Sequence, residues 1–151
     1  MRVTRFLSLF AALLAVFILT GSSIAPLEAP EIEEVSIMRI VIGDYEFQAA
    51  LESNPTAEAL KEQLPLELNM SELNGNEKYN YLDFSLPTDS HCPGQIQAGD
   101  IMLYGDSCLV VFYESFSTVY SYTKIGHIED TADLRAAAGS GSVQMRFETA
   151  E

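Results

Sequence analysis

Apolar and polar positions alternate with a period of two over most of the chain, the pattern of strands with one buried face. Ser36 to Ile42 is rich in β-branched residues, Gly43-Asp44 signals a turn, and Tyr45 to Leu51 alternates again, which predicts a hairpin. Asn54-Pro55 then predicts a helix start. Asn54 can accept from a free amide, and Pro55 loses no hydrogen bond in the first turn. Ala57, Leu60 and Leu64 share one face of that helix, Pro65 stops it, and Leu66 and Leu68 alternate in a strand over 65–70.

Residues 74–93 are dense in Asn, Gly and Pro, which predicts a long loop with a short strand near Tyr79 to Leu82. Loops of that length are more often functional than merely connecting. Ile101 to Tyr104, a Gly105-Asp106 turn and Cys108 to Tyr113 make a second hairpin, predicted to be the most buried part. Ser117 to Ile125 is predicted as a strand with Tyr120 and Tyr122 on one face. Asp130 is placed to cap a helix over Thr131 to Ala138, with Gly139 ending it, and Ser142 to Glu148 is the last strand. About eight short strands and two short helices predict a mainly β fold. Closing the sheet into a barrel is the simplest way to remove its edges.

The chain of 151 residues is long enough for one ordinary domain. Its start has another pattern. Arg2 and Arg5 precede an apolar run from Phe6 to Leu19 broken only by Ser8, and Thr20 to Ser23 are small. This is the anatomy of a secretory signal, with cleavage expected after Ser23, or after Ala25, where Pro26 hinders it. An uncleaved N-terminal anchor is the alternative, since Phe6 to Ala25 just spans a bilayer. The expected organisation is a signal peptide or anchor over 1–25, an extended acidic tether over 26–35 and a β-barrel domain over 36–151. The domain is expected outside the cytoplasm in either case, because the basic flank stays inside.

The formal charge is −14, and without Arg2 and Arg5 six basic residues face 22 acidic ones. Such a domain is repelled by phosphate backbones and anionic lipid, so nucleic acid and membrane surfaces are not expected partners. Cys92 and Cys108 could pair in an oxidising compartment, although Cys108 also fits as a small core residue. His91 and His127 do not join them at any zinc-ligand spacing, and no metal or other cofactor is expected. No Gly-x-Ser-x-Gly elbow supports a nucleophilic serine.

Three stretches carry a resemblance: Asn74-Gly75-Asn76-Glu77-Lys78-Tyr79, the run from Gly99 to Gly105, and Ser115 to Thr118 followed by Tyr120-Ser121-Tyr122. Together they resemble the cyclophilin-like family of small prokaryotic proteins, over about Met38 to Glu148. The resemblance implies the closed or nearly closed cyclophilin-like barrel and an unassigned biochemical role. Relatives found beside flavodoxin-like proteins make a redox partner an alternative. True cyclophilins isomerise X-Pro bonds with an arginine that follows a Phe-His pair, and no Phe-His-Arg occurs here. No arginine lies between Glu52 and Asp130, so isomerase activity is disfavoured.

What remains is a binding module for a peptide or small ligand. Six of seven tyrosines cluster near the central loop and second hairpin. The expected groove lies between the 74–93 loop, offering Asn74, Asn76, Lys78 and Tyr79, and the outer face of the hairpin, offering Met102, Tyr104 and Phe112. No catalytic residue is assigned, and a protein-interaction domain is the remaining class. Mass spectrometry of the protein from its native host should find a mature N-terminus between about Ser22 and Pro30. A cytoplasmic pool retaining Met1 would overturn export.

Overall fold

The computed structural model describes residues 34–150, so the leader and nearly all of the tether lie outside the described residues. The first hairpin is β1 (Ile37–Ile42) and β2 (Tyr45–Leu51), paired from Ile37↔Ala50 to Ile42↔Tyr45. Gly43 makes the two-residue turn because its φ of 58 lies in the left-handed region. Helix α1 (Pro55–Glu62) starts as expected, with the Ala57 N–H donating to Asn54 Oδ1 at 2.9 Å. Asn54 Nδ2 also donates to the Lys124 carbonyl, which ties the cap to the barrel wall.

Three segments differ from the sequence expectation. The strand after Pro65 runs on to Leu73 as β3 (Leu66–Leu73), and the short strand expected near Tyr79 to Leu82 starts two residues earlier and is a central barrel strand, β4 (Glu77–Tyr81). The two join through a tight turn in which Asn74 and Gly75 both have positive φ, 56 and 69. An Asn-Gly pair between strands is a strong hairpin signal. Here the surrounding density of loop-forming residues masked it. The irregular segment is therefore 82–94, leading into the two-residue strand β5 (Gln95–Ile96). The second hairpin is β6 (Asp100–Tyr104) and β7 (Cys108–Phe112), as predicted, with every residue except Tyr104 buried.

The strand expected over 117–125 is split into β8 (Phe116–Ser117) and β9 (Thr123–Ile128), with irregular backbone between. The second helix is shorter than expected. The Asp130 carboxylate accepts from the Ala132 N–H in a preceding turn, and α2 (Leu134–Ala138) begins only after Asp133. The last strand, β10 (Val143–Thr149), buries Met145 and Phe147 as expected.

Eight antiparallel strands close into a barrel in the order β1-β10-β3-β4-β7-β6-β9-β2. Its interior is filled by Met38, Ile40, Phe47, Met70, Leu103, Leu109, Val111 and Phe147 among others. Ala57 and Leu60 of α1, and Leu134 and Ala138 of α2, belong to the same cluster. Because α1 links β2 to β3 and α2 links β9 to β10, the helices cap opposite mouths. With no interior space left, longer connections run outside. The 82–94 segment and β5 lead from β4 to β6 past β7, and the 113–122 segment with β8 leads from β7 to β9 past β6. The two cross over the outer face of the β4-β7-β6 wall and pair there, Gln95↔Ser117 and Ile96↔Phe116. A second apolar cluster forms beneath them from Ile96, Met102, Cys108, Val110, Phe112 and Tyr122.

A bulge lies where β6 meets β9, with the pairing shifting between Ile101 and Met102. On its other side β9 meets β2 at Gly126, where an added Cβ would stand 2.5 Å from the Ala50 carbonyl oxygen. Backbone cannot swing aside as a side chain can, so Gly126→Ala should destabilise the domain by about 2 kcal/mol. Chemical denaturation checks this, and an unchanged midpoint would show that the β2–β9 seam yields freely.

Candidate functional site

β4 presents alternate side chains to the two faces of the wall, and its register with β7 fixes which. Lys78 pairs with Val111, a residue of the barrel interior, whereas Glu77 pairs with Phe112 and Tyr79 with Val110, both in the outer cluster. Lys78 is therefore not a groove cation. It is fully buried. Its ammonium donates to Glu72 and to the carbonyls of Gly139, at 3.2 Å, and Gly141, at 2.5 Å, just past the end of α2. The Tyr113 hydroxyl donates to the same Glu72 carboxylate at 2.8 Å, and the Gly75 N–H does so as well.

Burial pushes the Glu72 carboxyl up, but the bonds from Lys78, Tyr113 and Gly75 outweigh it and hold the group below the usual glutamate range. Burial and the hydrogen bond to Glu72 push the Tyr113 hydroxyl up to about 12. This network joins β3, β4, the turn between them, Tyr113 after β7 and the loop between α2 and β10 at one mouth of the barrel.

On the outer face the structure opens a cleft of about 510 Å³. Its floor is Glu77, Tyr79, Cys108 and Val110, and its far wall is the 116–122 segment with Phe116, Val119, Tyr120 and Tyr122. Aromatic contacts hold that wall in place. Tyr122 stands edge-on to Phe112 at 5.5 Å and touches Tyr104 at 5.7 Å, while Tyr120 meets Tyr104 at 6.3 Å. The Thr118 N–H donates to the Gly94 carbonyl, and its Oγ1 accepts from the Tyr120 N–H.

Of the residues expected to meet a ligand, Asn74, Tyr79 and Tyr104 line this cleft. Met102 and Phe112 lie in the packed layer behind it, only 4% and 0% exposed. Asn76 and Lys78 do not line it; the Asn76 Oδ1 is buried without a partner, which nothing in the structure explains. The covering segment is 116–122 and not 74–93, because β4 takes the first part of that stretch into the wall. Glu77 was not among the expected residues, and of the 116–122 wall only Tyr120 and Tyr122 belonged to the expected tyrosine cluster. The sequence held one usable signal: neighbours in a strand face opposite ways, so Lys78 inward places Glu77 outward.

Glu77 as a residue is only 9% exposed, and burial, reinforced by the charge of Glu72, pushes the pKa of its carboxyl up. Both cysteines are free thiols, Cys92 exposed and Cys108 buried, so the disulfide alternative is not realised. Burial pushes the Cys108 thiol up, partly offset by a hydrogen bond with Tyr81, and so keeps it protonated and unreactive. His127 Nδ1 lies 3.0 Å from Asp100 and His91 3.2 Å from Asp89, and among the described residues no three His, Cys, Asp or Glu gather around one point.

The sequence profile of the Cyclophilin-like family matches residues 40–148, most of the chain. The chain belongs to that family. Among curated proteins nothing matches. One solved structure similar to this cyclophilin-like chain is the hypothetical protein AF2241 from Archaeoglobus fulgidus, a solution structure. Its identity is 16%, with 81% of this chain and 100% of that one covered at a TM-score of 0.60. At that identity the likeness is one of fold.

The buried network at the α2 mouth gives a stability prediction. Glu72→Gln leaves the Lys78 ammonium buried without its counter-ion and should cost on the order of 3 kcal/mol, the lower end for breaking a buried pair because Glu72 is itself partly exposed. The Glu72 carboxyl binds a proton less readily folded than unfolded. Its contribution is therefore present above the ordinary glutamate value of 4.5 and lost as pH falls through the lower folded value. Urea denaturation across pH 3 to 7 should show the difference between wild type and Glu72→Gln shrinking toward acid. A difference independent of pH would overturn the charge-based account.

Proposed function

We propose that this cyclophilin-like domain is an exported binding module that takes a small organic ligand or a peptide side chain in the cleft beneath the 116–122 segment. One observation carries the reading. Seven large hydrophobic residues of the described chain are exposed, and five of them, Leu73, Tyr81, Tyr104, Val119 and Tyr120, line this one cleft. Solvent-facing apolar side chains are ordinary when scattered and informative when they surround a concavity. The cleft volume falls in the range of small-molecule sites, with tyrosine hydroxyls and one carboxyl among mostly apolar surface.

Prolyl isomerisation fits this cleft poorly. Twisting an amide meets a barrier of about 20 kcal/mol, and the resemblance to cyclophilins implies an arginine that stabilises the twisted state. The lining contains none. Arg39 on β1 and Arg146 on β10 pair with Glu148, and Arg135 on α2 pairs with Glu114. Export is carried by the leader sequence, and an oxidising compartment is compatible with two thiols set apart, one exposed and one buried.

The test is a thermal-shift screen of the purified chain against peptides, sugars and flavins. A ligand at a hundred times its dissociation constant should add roughly 2.7 kcal/mol. Val119→Ser, at a residue 87% exposed, should weaken that stabilisation while changing the unliganded stability by under about 0.5 kcal/mol, and Tyr120→Ser should abolish it at a cost of about 1 kcal/mol from the lost contact with Tyr104. A proline-peptide assay should show no acceleration over the spontaneous rate. Isomerase activity that survives purification and is lost on filling the cleft would overturn the binding-module reading.

A further inference from the structure

Glu77 is anomalous among the acidic residues of this domain. The residue is only 9% exposed, yet among the described residues its carboxyl makes no hydrogen bond and no ion pair, and its oxygens face the open cleft. Every other carboxylate that is buried or half-buried has a partner. Glu52 has Lys124, Glu72 has Lys78 and Tyr113, Asp100 has His127 and the Gln97 N–H, Glu114 has Arg135, and Glu148 has Arg39 and Arg146. A carboxyl set among apolar side chains, with only cleft water to solvate it, costs more than an exposed one, and an apolar residue would avoid that cost in a purely structural position.

The surroundings say what would remove the penalty. Glu77 lies in the cleft floor, and the lining includes the aromatic residues Tyr79, Tyr81, Tyr104, Phe116, Tyr120 and Tyr122. No lysine, arginine or histidine lines the cleft, so nothing in it competes for the carboxyl or repels an incoming cation. The negative charge of Glu77 also helps raise the Tyr122 hydroxyl, behind burial itself, which places the two groups within electrostatic reach. Aromatic faces attract cations, most strongly where water is displaced, and a carboxylate beside them supplies the counter-charge.

We infer that the ligand of this cleft carries a single positive charge on an apolar stem, an alkylammonium or guanidinium group that sits against Glu77 among the tyrosine rings. The inference rests on the reading of the cleft as the binding site and adds the chemical class of what it takes. The same chemistry is supplied by a free organic amine or by the lysine or arginine side chain of a peptide. The strongly acidic character of the whole chain concentrates either near the surface, and Glu77 then selects the cation within the cleft.

The experiment is a titration of the full chain with n-butylammonium, its neutral counterpart n-butanol, and acetyl-Gly-Lys-Gly-amide, followed by NMR of the tyrosine ring protons. Butylammonium should bind about tenfold more tightly than butanol and shift the rings of Tyr79, Tyr104 and Tyr122. Glu77→Gln should bring the two within twofold of each other without weakening butanol binding. Glu62→Gln, an equal loss of charge at the exposed end of α1, should leave the preference intact. Tighter binding of the lysine peptide than of butylammonium identifies a peptide source, and the reverse identifies a free amine. Equal affinity of wild type for butylammonium and butanol overturns the inference and leaves the cleft reading standing. Loss of the preference in Glu62→Gln also overturns it, by assigning the effect to net charge. Shifts confined to rings outside the cleft overturn both.

Discussion

An eight-stranded barrel has room inside for its own side chains and little else. Here Met, Ile, Leu, Val and Phe fill that space and helices close both mouths, so a cleft can form only on the outer surface. The same constraint shapes the surface. Two connections must pass from one end of the barrel to the other, and with the interior closed they cross the outer face of the β4-β7-β6 wall. Their crossing buries a second apolar layer and leaves a gap beside it. The cleft is thus a consequence of how the chain is threaded around a full barrel.

The wall beneath the cleft explains why β6 and β7 read as nearly continuous hydrophobic runs. Strands covered on one face alternate, whereas strands covered on both do not. Leu103, Leu109 and Val111 pack inward, and Met102, Val110 and Phe112 pack outward beneath the crossing segments. Phe112 touches both Phe116 and Tyr122, so the floor of the site and the packing of its covering wall are one structure. Substitutions at Met102 or Phe112 act on the cleft through this layer and not by touching a ligand.

Glu77 and Lys78 show how the pleat separates two neighbouring charges into different roles. Lys78 turns inward and is satisfied on every side, by Glu72 and by two carbonyls of the loop that follows α2. Glu77 turns outward into an aromatic recess and is satisfied by nothing in the described chain. One charge belongs to the architecture of the mouth, the other to the cleft.

Several features were determined by the sequence alone, because each depends on contacts close along the chain. The first hairpin with its Gly43 turn, the Asn54 cap of α1, the β6–β7 hairpin and the last strand all follow from periodicity and turn chemistry. The family phrases carried the barrel itself, and the family match covers the stretch expected. That the outer face of the second hairpin is covered was legible, since both faces of its strands are apolar. Which segment covers it was not. That depends on the strand order β4-β7-β6-β9, a set of pairings between residues far apart in sequence that no local pattern encodes. The role of Lys78 was hidden for the same reason. Its carbonyl partners lie 61 and 63 residues away, and only closure of the barrel brings them to it.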